Sequence, residues 1–243
     1  MTALGLPAES SVSEPDYTYI RDLVRQRSAI VLEPSKAYLI ESRLTPLARS
    51  EGMGSLQQLV SRLRGDPSGA LQRKVVEAMT TNETSFFRDR HPFDALRENL
   101  LPELKKTRST TRCLNLWSAA CSTGQEPYSI AILLREHFPE LAEGWRVRIL
   151  ATDLASRVLE RARAGAFSQL EINRGLPAAL SVKYFRREGI EWLVNPKLRE
   201  LIEFREMNLV EPWPSLPSMD VIFLRNVLIY FDRPTRTQIL ERV

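Results

Sequence analysis

Residues 113–137 read CLNLWSAACSTGQEPYSIAILLREH, and this stretch changes its pattern twice. The apolar residues at 113–117 predict a short strand, and the small and polar residues after them predict a turn. From Tyr128 to His137 the apolar residues recur at helical spacing, which predicts a helix. Because a strand, a turn and a helix in this order open a βαβ unit, the stretch predicts an α/β fold.

The residues downstream complete this unit. The apolar residues at 147–151 predict a second strand that ends on Thr152 and Asp153, and residues 156–164 have helical spacing. A later apolar run, 221–224, is typical of a central strand in a parallel sheet. Because parallel strands are joined by right-handed crossovers, these elements predict a doubly wound, Rossmann-like sheet covered by helices on both faces.

Two departures from this rhythm are expected in the second half of the chain. Residues 181–206 contain short apolar runs separated by turns near Gly189 and Pro196, and this hairpin-like spacing predicts a small antiparallel β-subdomain insertion. After the strand at 221–224 only one helix, 234–243, is expected. We therefore expect a sheet that is truncated at its carboxyl-terminal side, and a chain less stable and less active than one extended by further strands.

The first third of the chain has a different organisation. Residues 1–15 are rich in Ser and Pro and predict a mobile leader, with the first helix beginning near Asp16. Residues 16–80 have helical spacing and predict a small helical domain with a basic surface, either a docking face or ordinary solvated helix. Residues 81–112 would form a linker and a helix, and residues 113–243 the α/β domain.

The composition is that of a folded globular protein. Among 243 residues, 43% are hydrophobic and 26% charged, which excludes a collagen, a coiled-coil rod and a wholly disordered chain. The formal charge of +4 favours an acidic partner without choosing among nucleic acid, membrane surface and protein. With two Cys, two His and no long apolar run, we expect a reducing, cytoplasmic location, no metal site and no membrane insertion.

The first candidate site lies where the predicted strands end. In open parallel sheets ligands bind outside the carboxyl ends of the strands, which is the position of the turn at 118–126. The small residues of this turn would let a ligand approach the backbone, but the G-x-G-x-x-G pattern of dinucleotide sites is missing. Asp153 would end the second strand at the same edge, either as an acceptor for two ribose hydroxyls or as an ordinary strand end.

Two further polar stretches qualify as candidates. The sequence TNETSFFRDR, residues 81–90, places Asn82, Thr84 and Arg88 between the two predicted domains, although a capped helix start would explain the same residues. The sequence LRNVLIYFD, residues 224–232, places polar side chains directly after a predicted strand, and Tyr230 is expected one helical turn beyond Asn226. Each stretch alone has an ordinary structural explanation.

Taken together, four strings resemble the chemotaxis receptor methyltransferases of the CheR family. They are TNETSFFR, LWSAACSTGQEPYSIA, ATDLA and IFLRNVLIYFD, in this order, and the resemblance covers nearly the whole chain from residue 16. It implies an S-adenosylmethionine-dependent protein-glutamate O-methyltransferase with a helical N-terminal domain, a doubly wound domain and an antiparallel β-subdomain. Gln125 departs from the acidic residue common at that position of the family, whereas Glu126 is retained.

The resemblance also implies which residues contact the cofactor. The matching positions are Asn82, Thr84, Arg88, Glu126, Asp153, Asn208, Leu209, Asn226 and Val227. A glutamate carboxylate is ionised at neutral pH, so its methylation requires placement and partial desolvation rather than a general base. Arg88 and Tyr230 are the candidates for orienting that carboxylate, because both donate hydrogen bonds without taking a proton.

The implied partners are the cytoplasmic helices of methyl-accepting chemoreceptors, and we expect a monomer that binds no nucleic acid. Two alternatives stay open. One is a catalytically silent module that binds the cofactor or a receptor. The other, compatible with a pI near 9.2, is a nucleic-acid methyltransferase, although the chain lacks an interleaved basic and aromatic tract.

Overall fold

The computed structural model describes residues 12–65 and 69–243. Among them, no helix is long and apolar enough to cross a membrane. Most of the predicted leader lies outside the described residues, but its end is helical, because the first helix begins at Glu14 and not near Asp16. Ser13 caps this helix by accepting a hydrogen bond from the Asp16 amide, at 3.3 Å.

The described residues form two compact units. The first contains the chain up to Thr81 together with Ile229–Arg242, and the second contains Asn82–Leu228. The helices are α1 Glu14–Ser28, α2 Ala37–Ser50, α3 Leu56–Gly65, α4 Ala70–Met79, α5 His91–Ala95, α6 Leu101–Thr107, α7 Gln125–His137, α8 Pro139–Gly144, α9 Ser156–Ala164, α10 Gln169–Asn173, α11 Ala178–Tyr184, α12 Pro196–Arg199 and α13 Arg233–Leu240. The strands are β1 Cys113–Ala119, β2 Arg146–Asp153, β3 Ala166–Ser168, β4 Phe185–Glu188, β5 Glu191–Val194, β6 Ile202–Glu206 and β7 Val221–Leu224.

In the first unit, helices α1 to α4 surround one apolar core. Ile20, Ile40, Leu59 and Val75, one from each helix, are fully buried in it. The helical spacing in 16–80 that predicts this domain is the spacing of these buried side chains.

The last segment of the chain also belongs to the first unit. Phe231 forms an antiparallel bridge with Ile30, and Asp232 accepts a hydrogen bond of 3.1 Å from Arg25. The contacts of residues 229–242 therefore group them with the first unit, although the sequence predicts them as part of the α/β domain of residues 113–243. Sequence pattern places α13 correctly as a helix, but it carries no information about which of two cores the helix joins.

The second unit is built on a parallel sheet with strand order β6-β2-β1-β7. Numbered along the chain these are the third, second, first and fourth parallel strands, so the winding reverses beside β1. Helices α7 and α9 pack on one face through Ile130, Leu134 and Leu159, and on the other face the rings of Trp117 and Trp213 meet edge to face at 5.0 Å. A turn of π-helix, Leu96–Leu100, joins α5 to α6, which gives the helix predicted in this region.

The antiparallel insertion is real but has different members from those predicted. Its strand order is β3-β5-β4, and β5 is antiparallel to both neighbours. The prediction of an insertion at 181–206 is wrong at both ends. Ile202–Glu206 is a parallel strand that pairs with β2 in the main sheet, and the insertion recruits the short strand Ala166–Ser168 instead. Apolar spacing identifies a strand but not its partner, which sets the sheet it joins.

Candidate functional site

Four strands of the second unit end at one edge of the parallel sheet. Ala119 at the end of β1 lies beside Thr152 and beside Leu224, the last residue of β7. On the outer side Asp153 lies beside Glu206, the last residue of β6. Among the residues that the sequence predicts for the site, Asp153 ends β2, and those at 126, 208–209 and 226–227 follow the ends of β1, β6 and β7. Because the winding reverses between β1 and β7, this edge is the place where open α/β sheets bind ligands.

The turn from β1 into α7 is tightly shaped. Ala120 and Ser122 have φ values of 57° and 52°, and Gly124 has 95°. A Cβ atom at Gly124 would lie 3.0 Å from the Cβ of Ala162 on α9, so this position requires glycine for both conformation and space. The Cys121 amide donates to the Thr152 carbonyl at 2.8 Å, which ties the turn to the end of β2.

Asp153 is buried and its carboxylate is fixed by backbone donors. Oδ2 accepts the Ser122 amide at 2.8 Å, and Oδ1 accepts the Ala155 amide at 3.0 Å. Asp153 therefore joins the end of β2 to the turn that follows β1, at the edge of the sheet where the sequence predicts a ribose contact.

Glu126 lies at the start of α7 with a side chain only 13% exposed. Its Oε1 accepts the Ser118 hydroxyl at 2.7 Å, and its Oε2 accepts Nη1 of Arg225 at 2.9 Å. Burial raises the pKa of Glu126, and the hydrogen bond from Ser118 and the charges of Arg225 and Arg88 oppose that rise. The site thus holds a second carboxylate near the same turn as Asp153.

The segment 82–90 is attached to this edge by its backbone. The Asn82 carbonyl accepts the Ser122 hydroxyl at 3.0 Å, and the Phe87 amide donates to Ser129 Oγ at 2.9 Å. No helix begins at residue 81 or 82, so the capped helix start is not what these residues form. Thr84 is half-buried in the same segment.

Arg88 is oriented from within its own segment. Its Nη1 donates to the Glu83 carbonyl at 2.7 Å, and its charge contributes to the lowered pKa of Glu83 and opposes the burial that raises the pKa of Glu126. The Glu83 side chain in turn pairs with Arg174, and the hydrogen bond from Arg174 is the main reason that the pKa of Glu83 is lowered. Arg88 is therefore held within the electrostatic reach of the buried Glu126.

The remaining predicted residues fall into two groups. Asn208 Oδ1 accepts the Val210 amide at 3.2 Å, and the carbonyl of the buried Leu209 accepts Trp213 Nε1 at 3.2 Å. Asn226, with φ 56°, and Val227 follow β7 after the intervening Arg225. The structure thus places both pairs on the loops after β6 and β7.

Tyr230 is placed differently from the prediction. Asn226 is not helical, and a 3-10 turn, Leu228–Tyr230, follows it, so the expected helical turn between Asn226 and Tyr230 is wrong. Tyr230 belongs to the first unit, where its carbonyl accepts the Val31 amide at 2.9 Å. The left-handed backbone of Asn226 interrupts the helical path that the spacing suggested.

The residues that support the two carboxylates lie in stretches that the sequence analysis singles out, but their pairing with Glu126 and Asp153 is not predicted. Ser118 and Ser122 bind Glu126 and Asp153, and Arg225 bridges Glu126 to the segment 82–90. The available signal was position, because all three follow or end predicted parallel strands. Their partners are distant in sequence, so pattern alone could not pair them.

The side chains at this edge suit a cationic ligand that also carries hydroxyl groups, because carboxylates attract cations and accept hydrogen bonds from hydroxyls. Asp153 and Glu126 both lie close enough to Cys121 for their charges to add to the burial that raises the pKa of its thiol. The guanidinium groups of Arg225 and Arg88 interact electrostatically with Glu126, and the negative charge of the two carboxylates can attract a sulfonium or ammonium group. Within the described ranges, no group of three or more His, Cys, Asp or Glu could hold a metal ion.

Comparison with known proteins agrees with this geometry. The family model for the "CheR methyltransferase, SAM binding domain" matches residues 82–243, and that for the "CheR methyltransferase, all-alpha domain" matches residues 15–80. Chemotaxis protein methyltransferase 1 of Pseudomonas aeruginosa is 41% identical over 238 residues, which cover 96% of this chain and 85% of the relative. Chemotaxis protein methyltransferase Cher2 of Pseudomonas putida is 40% identical, with 96% and 86% covered. A chemotaxis protein methyltransferase of Borreliella burgdorferi is 32% identical, with 96% and 83% covered. The chain belongs to the CheR family of methyltransferases, and its cofactor is S-adenosylmethionine.

Proposed function

We propose that this methyltransferase transfers methyl groups to glutamate side chains on the cytoplasmic helices of chemoreceptors, in chemotaxis signalling. The observation that carries the proposal is the juxtaposition of two carboxylates, the buried Asp153 and the largely buried Glu126, with the segment that presents Arg88. The names of the relatives, which are chemotaxis protein methyltransferases, support the pathway. Because the acceptor glutamates would lie on cytoplasmic helices, the enzyme would act in the cytoplasm.

Two carboxylates would bind different parts of the cofactor. Asp153, with its oxygens fixed by backbone amides, would accept the ribose hydroxyls. Glu126 would face the cationic methionine end from the start of α7, while Asn82, Thr84, Asn208, Leu209, Asn226 and Val227 would line the same edge. When bound, S-adenosylmethionine supplies an electrophilic methyl group on a sulfonium centre.

The acceptor side requires little acid-base chemistry. A glutamate carboxylate has a reference pKa of about 4.3, so it arrives ionised and no residue has to remove a proton from it. Arg88 would hold one of its oxygens by a charge-assisted hydrogen bond. The bond from Arg88 to the Glu83 carbonyl limits the orientations that its guanidinium can take, which favours placement of the acceptor.

The first unit would bind the receptor through its basic surface. Arg21, Arg62 and Arg73 are among its charged side chains, on α1, α3 and α4. A chemoreceptor segment that carries several methylatable glutamates is acidic, so the two charges are complementary. Exposed charges of this kind act mainly on the rate of encounter and on specificity.

Transfer of labelled methyl groups tests the proposal. The protein is incubated with S-adenosylmethionine labelled in the methyl group and a chemoreceptor cytoplasmic fragment, and base-labile label on the fragment is counted. The matched control fragment carries Gln in place of the acceptor glutamates. Label on the normal fragment alone supports the proposal. Cofactor binding without transfer would indicate the silent module, and label on RNA would indicate a nucleic-acid methyltransferase.

A further inference from the structure

Arg225 occupies a junction between the two sides of the site. Its side chain is only 16% exposed, and its Nη1 donates to Glu126 Oε2 at 2.9 Å. Its Nη2 donates to the Arg88 carbonyl at 2.7 Å and to Asp89 Oδ2 at 2.9 Å. One guanidinium therefore joins the cofactor-side carboxylate to the backbone of the residue that would orient the acceptor.

The segment that Arg225 holds is strained. Phe87, Asp89 and Arg90 have φ values of 48°, 62° and 37°, in the left-handed region that disfavours residues with a Cβ atom. Strained backbone persists only where its surroundings over-determine it, and such strain is concentrated at functional sites. The two bonds from Arg225 are among the contacts that keep this turn in place.

The chemistry of this contact requires arginine. The planar guanidinium presents several N–H donors in fixed directions, so it can hold Glu126 with one nitrogen and the turn with another. A lysine ammonium at position 225 would keep the positive charge beside Glu126 but would lack the fork that reaches both groups. The contact from Arg225 to the ring of Phe93, with 5.5 Å to the centroid, adds a further constraint on the plane of the fork.

We propose that Arg225 is a positioning residue that couples cofactor binding at Glu126 to the placement of Arg88 for the acceptor. A cationic group that approaches Glu126 competes with Arg225 for its carboxylate. Arg225 then changes its hydrogen bonds through Nη2 to the Arg88 carbonyl and to Asp89, which alters the conformation of the turn. Such coupling is reciprocal, so the acceptor strengthens cofactor binding by the same factor. The inference rests on the proposed function for the role of Arg88. Its own claim is that the cofactor site at Glu126 and the acceptor site at Arg88 are coupled.

The test measures coupling rather than turnover. The affinity of a chemoreceptor cytoplasmic fragment is measured with and without S-adenosylhomocysteine, the cofactor product, in the native protein and in Arg225→Lys, Arg225→Met and Asp89→Asn. Amide hydrogen exchange over residues 86–91 is followed with and without the same compound. Arg161→Met is the matched control, because it removes an arginine that pairs with Glu171 away from the site.

In the native protein we expect S-adenosylhomocysteine to tighten fragment binding about fivefold or more, within the usual range of coupling between sites, and to slow exchange at 86–91. In Arg225→Lys and Asp89→Asn this factor should fall towards one while calorimetric affinity for S-adenosylhomocysteine stays within about threefold of the native value, because Glu126 keeps a cationic partner. Arg225→Met should lose the coupling and also bind S-adenosylhomocysteine more weakly than the native protein. Arg161→Met should behave as the native protein.

An unchanged coupling factor in folded Arg225→Lys and Asp89→Asn would overturn the proposal, as would a native protein without coupling. Asp89 has a half-exposed side chain, so Asp89→Asn keeps the test valid if the Arg225 variants fail to fold. Binding and exchange do not require methyl transfer. A failure of the proposed function would appear in the transfer assay, and a failure of the Arg225 proposal would appear in the coupling factor.

Discussion

The Ser122 amide donates a hydrogen bond of 2.8 Å to Asp153 Oδ2, across 31 residues of sequence. This bond closes the turn after β1 onto the end of β2, and Asp153 also accepts the Ala155 amide. The carboxylate that would hold the ribose is thus a structural part of the sheet edge. Its removal should affect both cofactor binding and folding.

Asp153→Ala should lower the affinity for S-adenosylhomocysteine by about 1.5–3 kcal/mol, the usual contribution of hydrogen bonds to a charged group. It should also lower the free energy of unfolding by about 1–3 kcal/mol, because buried backbone donors at Ser122 and Ala155 lose their acceptor. Calorimetry and denaturant unfolding measure the two effects. Unchanged affinity would remove Asp153 from the cofactor site.

Glu126 should make cofactor binding sensitive to acid. Burial raises the pKa of Glu126, so on lowering the pH this group becomes neutral before an ordinary glutamate does. Affinity for S-adenosylhomocysteine should fall as the pH drops through that raised pKa, because the negative charge facing the ligand ammonium disappears. Titration calorimetry at several pH values should show this fall in the native protein and a flatter profile in Glu126→Gln.

The effect of Glu126 on stability has the opposite sign. Between the unfolded and the folded pKa the native state binds more protons than the unfolded state, so the free energy of unfolding decreases as the pH rises through that window. Glu126→Gln should remove this part of the pH dependence. A profile in Glu126→Gln identical to the native one would contradict the assignment.

Gly175 should be far less tolerant of substitution than Gly189. Both have positive φ, 94° and 60°, so alanine at either position costs about 1–2 kcal/mol for the left-handed backbone. A Cβ at Gly175 would also lie 2.0 Å from the Phe86 carbonyl oxygen, whereas nothing lies within 4 Å at Gly189. Gly175→Ala should therefore unfold at clearly lower denaturant concentration than Gly189→Ala. It should also weaken methyl transfer, because Phe86 belongs to the segment that carries Arg88. Equal denaturant midpoints for the two variants would show that the segment around Phe86 can move aside without loss of stability.

The basic surface of the first unit should act on the receptor and not on the cofactor. Reversing Arg21 and Arg62 to Glu should slow methylation of the receptor fragment while leaving affinity for S-adenosylhomocysteine intact. Arg25 is less suitable, because its pairing with Asp232 would be broken by the same change. Native methylation should weaken with added salt, since exposed charges are screened over about 10 Å at 0.1 M. Indifference to both changes would make this surface ordinary solvated helix.

The spacing of apolar residues and the turn residues predict the elements whose formation depends on neighbouring residues in the sequence. The strands β1, β2 and β7, the turn between β1 and α7, and the position of Asp153 follow from apolar spacing and from small residues at a strand end. Glu126 is buried beside Ser118, where the rule for ligand sites in open sheets places it.

What could not be predicted depends on contacts between distant residues. Sequence spacing places Ile202–Glu206 in the insertion, because this spacing resembles that of the preceding hairpin, yet the strand pairs with β2. The bonds of Arg225 to Glu126 and Arg88 span 99 and 137 residues. Phe231 forms a backbone bridge with Ile30, about 200 residues earlier in the chain, a pairing that no periodicity encodes.

The most direct measurement is identification of the modified residue after reaction with S-adenosylmethionine and a chemoreceptor cytoplasmic fragment. Peptide mass spectrometry before and after mild base treatment locates each added methyl group. On this account we predict base-labile methyl groups on glutamate side chains of the fragment, reduced in Asp153→Ala at low S-adenosylmethionine concentration and strongly reduced in Arg88→Ala. Methyl groups on another residue type or on nucleic acid, or none at all from a protein that binds S-adenosylhomocysteine, would contradict it.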